Sequence, residues 1–386
     1  MSAMARGIIR SSGRIQSFEA HEQLTARDCL FLGKHSFNQG LYDYAINWFE
    51  AALIKAKEEG NRTVSPDEIQ PFLNFAINTH DNVSLERGEA GVTWKNASVP
   101  FREKNEVFYE RNFEPVFFVD NLDPVIEKEQ FNRLCRGEQL RPVEWDKDLG
   151  CRYFNGHHPY LLLQPIKLEE KSHKPYIVQL YDVISDQEIQ RLQNLSQFTL
   201  HRSSHYGISG EFEASLMRTS ASSWLTEETD PVIVKLDRRV GMITGLATKY
   251  SMEEAEAYQV ANYGIGGHYV PHQDHLQSAG MNSSMFQGFE YRAGDRIATW
   301  MFYLSDVEAG GGTAFTYAGA VVWPKKGSAA FWWNLKRNGE GDEMTRHGAC
   351  PVLHGSKWVS NKWFRVNSQM FRKPCSLERD EYFTCL

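Results

Sequence analysis

Two histidines and one aspartate form a candidate metal site in this chain. The segment GGHYVPHQDH places His272 and Asp274 two positions apart, with Gln273 between them. Residues i and i+2 of an extended strand project from one face, so this pair can offer an imidazole and a carboxylate to one ion. His347, in TRHGACPVL, supplies a third candidate ligand from another β-type segment. Two histidines and one carboxylate leave coordination positions open, which is typical of non-haem Fe(II) oxygenases.

A zinc hydrolase is the alternative use of such ligands. Zinc hydrolases use three histidines, or two histidines and a glutamate, and no His-Glu-x-x-His helix occurs in the chain. His268 and His275 lack the spacing to bind the same metal ion, so we expect them either beside the metal ligands or in a loop. We expect His354 in a surface turn.

Lys357 fits the chemistry of an oxygenase that uses a 2-oxo acid. It follows His347 by ten positions (357 − 347) and lies between the apolar pairs Val352–Leu353 and Trp358–Val359. A 2-oxoglutarate that chelates iron through its 2-oxo acid end needs a cation for its far carboxylate, and a lysine on the next strand supplies one. The apolar neighbours favour a buried lysine over a solvated one.

Composition and charge exclude several classes of protein. The chain has 386 residues, 41% of them apolar, and a formal net charge of −7, which argues against a nucleic-acid binder. No stretch approaches the roughly 20 apolar residues needed to span a bilayer. The N-terminus has no apolar core of a signal peptide, so none is predicted in this chain. The cysteines form no Cys-x-x-Cys and stand at positions 29, 135, 151, 350, 375 and 385.

Two kinds of hydrophobic pattern predict an α+β chain. Residues 27–57 follow the tetratricopeptide pattern of two helices joined near Gly40, with Gly33 and Ala45 allowing close approach. From about Lys174, short β-branched and aromatic runs between Gly, Asp and Pro breaks predict an antiparallel sandwich or jelly roll. The EAGGGTAF segment is predicted to be a turn between strands, because it lacks the residues of a phosphate-binding loop.

Residues 258–375 resemble the catalytic region of the collagen prolyl 4-hydroxylase α-subunit family. The matching stretches include YQVANYGIGGHYVPHQDH, RIATWMFYLSDVEAGGGTAF and GEGDEMTRHGACPVLHGSKWVSNKWF. The resemblance also takes in the tetratricopeptide stretch and covers most of the chain. It implies an N-terminal all-α tetratricopeptide-like domain followed by a double-stranded β-helix (jelly roll). The expected limits are an N-terminal tail 1–20, a peptide-substrate-binding domain 21–105, a connecting region 106–172, a dioxygenase domain 173–376 and a C-terminal tail 377–386.

The resemblance assigns roles to individual residues. It implies that His272, Asp274 and His347 bind iron and that Lys357 binds 2-oxoglutarate. Further pocket positions are Tyr263 beside the cosubstrate and, at catalytic positions, Tyr269, Arg296 and Trp363. Peptide-binding aromatic residues would be Phe37, Tyr42, Tyr44 and Trp48. The disulfides implied are Cys135–Cys151 and Cys350–Cys375.

The function implied is hydroxylation of peptidyl proline to 4-hydroxyproline in collagen-like X-Pro-Gly sequences. O2 and 2-oxoglutarate would be consumed, succinate and CO2 released, and ascorbate would keep the Fe(II) active. The family's β partner is protein disulfide isomerase, and its location is the lumen of the endoplasmic reticulum. Asn-x-Ser/Thr sequons, such as that at Asn61, are compatible with this lumen.

Departures from the family keep two other functions open. Gln273 and His275 stand where the family has aromatic residues, and Arg365 replaces a histidine near the cosubstrate end of the pocket. Arg365 could therefore alter decarboxylation or act as a cation there. The chain also begins within the substrate-binding region, which predicts a shortened or divergent member. A catalytically impaired collagen-binding or assembly subunit, or an oxygenase acting on a non-collagen proline, remains possible.

Overall fold

The chain divides into two compact units, Met1–Glu114 and Pro115–Leu386, and each is described by itself. The structure is a computed structural model. It describes residues 14–15, 18–19, 24–38, 40–86, 94, 113–119, 121–156, 158–202, 204–206, 212–214, 218–276, 288–378 and 381–386. The unit boundary falls inside the predicted connecting region 106–172, and the domain limits given above stay a prediction.

The first unit is built on three consecutive helices, α1 (Ala26–Asn38), α2 (Tyr42–Glu58) and α3 (Pro66–Glu86). Helix α2 packs against both of the others. Gly33 permits the contact between α1 and α2, because a Cβ there would lie 2.4 Å from the ring of Phe49. Gly40, between these helices, has φ +73°, which glycine adopts without strain. A short two-stranded ribbon, β1 (Arg14–Ile15) with β2 (Phe18–Glu19), precedes the helices.

The second unit has a nine-stranded and a four-stranded antiparallel sheet. Its remaining helices are α4 (Pro124–Cys135), α5 (Pro159–Leu163), α6 (Asp186–Ser196), α7 (Pro231–Thr244) and α8 (Gly288–Ala293). Its strands are β3 (Cys151–Phe154), β4 (Ile166–His173), β5 (Tyr176–Tyr181), β6 (His201–Arg202), β7 (Ser204–Tyr206), β8 (Phe212–Ala214), β9 (Ala221–Leu225), β10 (Tyr258–Tyr263), β11 (Tyr269–His272), β12 (Arg296–Tyr303), β13 (Ala309–Gly310), β14 (Thr313–Phe315), β15 (Ala320–Val322), β16 (Ala329–Trp333), β17 (His347–Ala349), β18 (Val352–His354) and β19 (Lys357–Arg365). The large sheet has the order β3-β4-β5-β16-β12-β19-β10-β9-β6, and the small sheet the order β11-β17-β14-β15.

The large sheet is covered on both faces, because its strands alternate between two apolar cores. From β12, Trp300 and Phe302 pack into a core that includes Leu192 of α6 and Leu236 of α7. Met301 and its alternate neighbours pack into a second core together with residues of the small sheet. The layers are therefore helices, large sheet and small sheet, which confirms the predicted α+β class with a jelly-roll unit. None of the helices in the described ranges is both long and apolar enough to cross a membrane.

One disulfide corrects the predicted cysteine pairing. Cys135, at the end of α4, is bonded to Cys350, which follows β17, and their Cα atoms are 5.3 Å apart. Helix α4 lies directly on the small sheet, where the ring of Phe131 fills the space over a strand glycine. Cys151 and Cys375 are exposed free thiols. The pairs Cys135–Cys151 and Cys350–Cys375 are therefore wrong for this structure, because packing of α4 brings Cys135 to Cys350 instead.

Candidate active site

Strands β11 and β17 of the small sheet bring the three candidate ligands together. They pair antiparallel with His272 directly opposite His347. Asp274 lies in the bend just after β11 rather than within the strand. Its Oδ1 is 3.8 Å from His272 Nε2, and its Oδ2 is 3.8 Å from His347 Nε2. The three ligand atoms lie within 4.8 Å of one another, and no other group of three potential metal ligands occurs in the described part of the chain.

Both imidazole rings are oriented by backbone carbonyl groups. His272 Nδ1 lies 2.9 Å from the carbonyl oxygen of Val270, and His347 Nδ1 lies 2.9 Å from that of Thr345. Each Nδ1 therefore carries the proton and donates it, which leaves the Nε2 lone pair facing Asp274. This outer hydrogen bond to a carbonyl is usual for histidines that bind metals.

The protonation states suit a divalent cation. Burial lowers the pKa of His272 and that of His347, so both rings are neutral. Burial alone would raise the pKa of Asp274, but the two histidines, which carry a proton only at low pH, and the Arg296 guanidinium outweigh it and hold that pKa below its usual value. Thr299 Oγ1 also donates to Asp274 Oδ2 at 2.7 Å. Two neutral nitrogens and one carboxylate fit Fe(II) with open positions for further ligands.

A cavity of about 230 Å³ opens over these three residues. Every residue that the sequence assigned to metal, cosubstrate or catalysis lines it: His272, Asp274, His347, Lys357, Tyr263, Tyr269, Arg296 and Trp363. Their roles in binding and catalysis stay predictions, whereas their common location is a finding.

Lys357 provides a buried cation inside the cavity. Its side chain is 1% exposed, and Nζ lies 3.4 Å from Thr313 Oγ1. Tyr263 stands opposite it in the strand register, and the ring centroids of Tyr263 and Tyr303 are 5.7 and 5.8 Å from Nζ. Burial lowers the pKa of Lys357 to about 7. No carboxylate of the described residues forms an ion pair with this ammonium, so it can receive the carboxylate of a ligand.

Arg296 links the metal cluster to the aromatic wall of the cavity. Its guanidinium lies 4.1 Å from the Trp363 ring centroid, and its Nη1 donates to the Asp274 carbonyl oxygen at 3.4 Å. The Glu256 carboxylate fixes it by accepting from Nε and Nη2 at 2.6 and 2.9 Å. On the opposite side the Tyr269 ring stacks on His272 at 3.7 Å. Arg296 and Tyr269 are therefore held rigidly against the ligands.

Arg365 does not line the cavity. Its Nη2 lies 2.8 Å from Glu256 Oε1, and its Nη1 donates to the Gly294 carbonyl oxygen at 2.7 Å. Glu256 is thus shared between Arg365 and Arg296. The expectation of Arg365 as a cation at the cosubstrate end is therefore wrong, because this carboxylate holds it outside the cavity.

The other residues singled out from the sequence have structural partners. Gln273 lines the cavity and donates from Nε2 to Glu343 Oε2. The His275 ring is buried against Gly341, where a Cβ would lie 2.3 Å from it. His268 Nδ1 lies 3.0 Å from the Gly266 carbonyl oxygen. Neither histidine belongs to the metal cluster, as predicted, and His354 is exposed.

Sequence reasoning missed the polar rim of the cavity. Arg218, Trp224, Gln259 and Asn361 line it beside the predicted residues. Arg218 Nη2 donates to Gln259 Oε1 at 2.8 Å, and Trp224 is 52% exposed. Strand alternation from Lys357 could have found Asn361, which projects from the same face. Gln259 could have been found in the same way from Tyr263, which lies four positions further along β10. Arg218 and Trp224 could not, because they join the site only through their pairing with other segments.

In the first unit, the four aromatic residues predicted to bind peptide differ in how they pack. Phe37 packs against Tyr42 at 5.1 Å and against Phe75 at 5.3 Å. Trp48 packs against the helical core, and Tyr44 is half-buried. Phe75 on α3, which was not predicted, is 61% exposed beside Phe37. Its contact with Phe37 joins helices α1 and α3, so spacing within α1 and α2 could not reveal it.

The jelly-roll fold, the three ligands and the buried lysine define a 2-oxoglutarate- and Fe(II)-dependent oxygenase. The 2OG-Fe(II) oxygenase superfamily model matches residues 258–365, and the prolyl 4-hydroxylase peptide-substrate-binding domain model matches residues 26–89. Prolyl 4-hydroxylase subunit alpha-2 of Gallus gallus is 39% identical over 95% of this chain and 71% of its own length. Prolyl 4-hydroxylase subunit alpha-1 of Homo sapiens is 36% identical over 96% of this chain and 72% of its own length. The chain therefore belongs to the prolyl 4-hydroxylase α-subunit family, which confirms the resemblance.

A solved structure of a viral collagen prolyl hydroxylase from Paramecium Bursaria Chlorella virus-1 is also similar. It is 24% identical, with a TM-score of 0.37, over 49% of this chain and 95% of that chain. This likeness is too low to add to the family assignment.

Proposed function

We propose that this chain hydroxylates peptidyl proline to 4-hydroxyproline. The reaction consumes 2-oxoglutarate and O2 and releases succinate and CO2. The observation that carries the proposal is the convergence of the metal ligands His272, Asp274 and His347 with Lys357 in one cavity. Bound Fe(II) would supply the activation of O2 and the oxidative decarboxylation of the 2-oxo acid.

The protein's own residues orient the reactants. His272, Asp274 and His347 hold the metal, and the Lys357 ammonium fixes the far carboxylate of 2-oxoglutarate. Lys357 lies on the large sheet and the ligands on or beside the small one, so the cosubstrate bridges the two sheets. The apolar and aromatic walls limit water, which protects the protein and substrate from misdirected oxidation.

The substrate is a proline-rich, collagen-like polypeptide in this proposal. The match of residues 26–89 to a peptide-substrate-binding domain supports it. Aromatic rings such as those of Phe37, Tyr42 and Phe75 would pack against a polyproline II segment, whose rigid backbone loses little entropy on binding. Replacement of Phe75 with alanine should weaken binding of a Pro-Pro-Gly repeat peptide. The matched control, Ile54→Ala on an exposed position of α2, should not.

The cellular setting is part of the same proposal and is supported by family membership. Ascorbate would restore Fe(II), protein disulfide isomerase would be the β subunit, and the lumen of the endoplasmic reticulum would be the location. Coexpression with protein disulfide isomerase, followed by size-exclusion chromatography, tests the partner. Elution as separate proteins would refute that part alone.

The activity test uses a Pro-Pro-Gly repeat peptide with Fe(II), 2-oxoglutarate and ascorbate. Both succinate and 4-hydroxyproline should form, and His347→Ala should abolish them. The exposed His354 offers the matched control, and His354→Ala should keep activity. Peptide binding without either product would instead support a binding or assembly subunit. Turnover on a proline of a folded domain, but not on repeats, would support a non-collagen substrate.

A further inference from the structure

The unit that holds the metal cluster, Pro115–Leu386, contains a second concavity outside the metal cavity. Its volume is about 490 Å³, and it shares no lining residue with the metal cavity. Three aromatic rings and three cationic side chains dominate its wall: Phe118, Trp145, Tyr382, Arg141, Lys174 and Lys336. We call it the basic-aromatic concavity.

Its aromatic side is exposed to solvent and includes a residue with a strained backbone. Phe118 has φ +56°, a left-handed conformation that a bulky residue rarely adopts. Its ring is 42% exposed and lies 5.1 Å from that of Trp145, which is 43% exposed. The Phe118 N–H donates to the Tyr317 carbonyl oxygen at 3.4 Å, which ties the segment to the small sheet. Strain that presents an apolar ring to water is more common at binding sites than elsewhere.

Its charged side selects anions. Lys174 Nζ lies 4.4 Å, and Lys336 Nζ 5.7 Å, from the centroid of the Tyr382 ring, so two ammonium groups lie near one aromatic ring. Arg141 is kept in place by Asp146, at 2.5 Å, and by the Lys171 carbonyl oxygen, at 2.8 Å. None of the described residues that line the concavity is acidic, although the chain as a whole carries a charge of −7. Because Asp146 balances the charge of Arg141, Lys174 and Lys336 carry the positive charge of the lining.

One short turn separates this concavity from the metal cavity. Met344 lines the concavity and belongs to the 3-10 helix Glu343–Thr345. Its neighbour Glu343 accepts the hydrogen bond of Gln273, which lines the metal cavity. The metal ligand His347 follows two residues after this 3-10 helix. A chain bound in the concavity would thus lie beside the segment that carries His347.

We propose that the basic-aromatic concavity is a second binding site for the polypeptide substrate, one that takes an acidic, proline-containing extended segment. Proline rings would pack on Phe118 and Trp145, as in other aromatic grooves that bind polyproline II chains. Carboxylates would lie near Lys174 and Lys336. The inference rests on the proposed function in one respect, namely that a proline-rich polypeptide is the substrate.

Direct binding tests the site without turnover. The probes are fluorescent peptides of repeated Pro-Glu-Pro and repeated Pro-Lys-Pro, titrated with the full chain and followed by anisotropy. The Pro-Glu-Pro peptide should bind more tightly, with affinity falling as salt rises. Trp145→Ala and Lys174→Glu should each weaken it by about tenfold, the usual size of a central contact in an interface. The matched control is Tyr153→Ala, which removes an exposed aromatic ring on β3 outside the concavity, 71% exposed against 43% for Trp145.

The outcomes separate this inference from the proposed function. Unchanged affinity in Trp145→Ala and Lys174→Glu, an equal loss in Tyr153→Ala, or no preference for Pro-Glu-Pro would each overturn the site. Lys174 is exposed, so Lys174→Glu keeps the test valid if Trp145→Ala fails to fold. Failure to form hydroxyproline would overturn the proposed function and leave the binding result standing.

Discussion

Replacement of Lys357 with methionine isolates the role of the buried ammonium. Methionine keeps most of the side-chain volume and removes the charge. Burial lowers the pKa of Lys357 from 10.5 to about 7. One pKa unit corresponds to about 1.4 kcal/mol, so burial of the charged form costs on the order of 5 kcal/mol. A ligand carboxylate that pairs with the ammonium offsets this cost, whereas a ligand facing methionine would bury an unpaired carboxylate.

The expected loss of affinity follows from that pairing. Removing one partner of a buried, hydrogen-bonded charge pair costs about 2–5 kcal/mol, or roughly 30- to 4,000-fold in Kd. Lys357→Met should therefore weaken 2-oxoglutarate binding at least about 30-fold. Binding of the metal itself should change little, because Lys357 forms no hydrogen bond or ion pair with His272, Asp274 or His347. Thermal stability should not fall, since a neutral side chain replaces a buried charge.

Isothermal titration calorimetry with Mn(II) in place of Fe(II) measures 2-oxoglutarate binding without turnover. Lys325→Met, at a side chain that is 64% exposed, is the matched control. The free lysine loses its proton above pH 7, but the paired ammonium keeps it, so binding near pH 8 should take up a proton and binding near pH 5.5 should not. A Kd within about threefold of wild type in Lys357→Met, or no proton uptake near pH 8, would refute the role given to Lys357.

Three further outcomes follow from the structure. Glu256→Gln should lower the free energy of unfolding by about 3–5 kcal/mol, because it leaves the buried Arg365 and the partly buried Arg296 without their carboxylate. Arg365→Gln should cost less, and equal losses would contradict the shared ion pair. The pKa of Glu188, which burial alone would raise, is held well below its usual range by two cationic partners and a backbone hydrogen bond. A group with a lowered folded pKa stabilises fully above its unfolded pKa and loses this stabilisation as the pH falls towards its folded pKa. The melting-temperature difference between wild type and Glu188→Gln should therefore be full near pH 7 and shrink below about pH 4.3, and a difference that keeps its full size down to pH 2 would contradict this. Peptide mapping without reductant should find Cys135 joined to Cys350, and peptides linked in any other way would contradict the packing of α4.

Local spacing together with ligand chemistry predicted the centre of the site. Strand alternation and ligand chemistry identified His272, Asp274 and His347, and the apolar flanks of Lys357 predicted its burial. The His272–Asp274 pair and the flanks of Lys357 are local in sequence, so a β-type pattern locates them, whereas His347 was chosen by its chemistry and reaches the pair through the pairing of β11 with β17. Even so, Asp274 lies beyond the end of its strand, and the bend rather than the pleat directs its carboxylate to the histidines.

Features that depend on the packing of distant segments could not be predicted. Glu256 and Arg365 meet because the residues around them are joined by pairing across the large sheet, whose register the sequence does not reveal. The Cys135–Cys350 bond depends on how α4 lies on the small sheet. Phe75 joins the aromatic surface only through the packing of α3 beside Phe37.

The origin of the oxygen atoms tests the central claim most directly. Wild-type chain, Fe(II), 2-oxoglutarate and a Pro-Pro-Gly repeat peptide would react under ¹⁸O2, with both products analysed by mass spectrometry. The proposed function predicts one labelled oxygen in 4-hydroxyproline and one in succinate, in equal amounts, and neither product with His347→Ala. Hydroxyproline that carries oxygen from water, or succinate formed without any hydroxyproline, would contradict it.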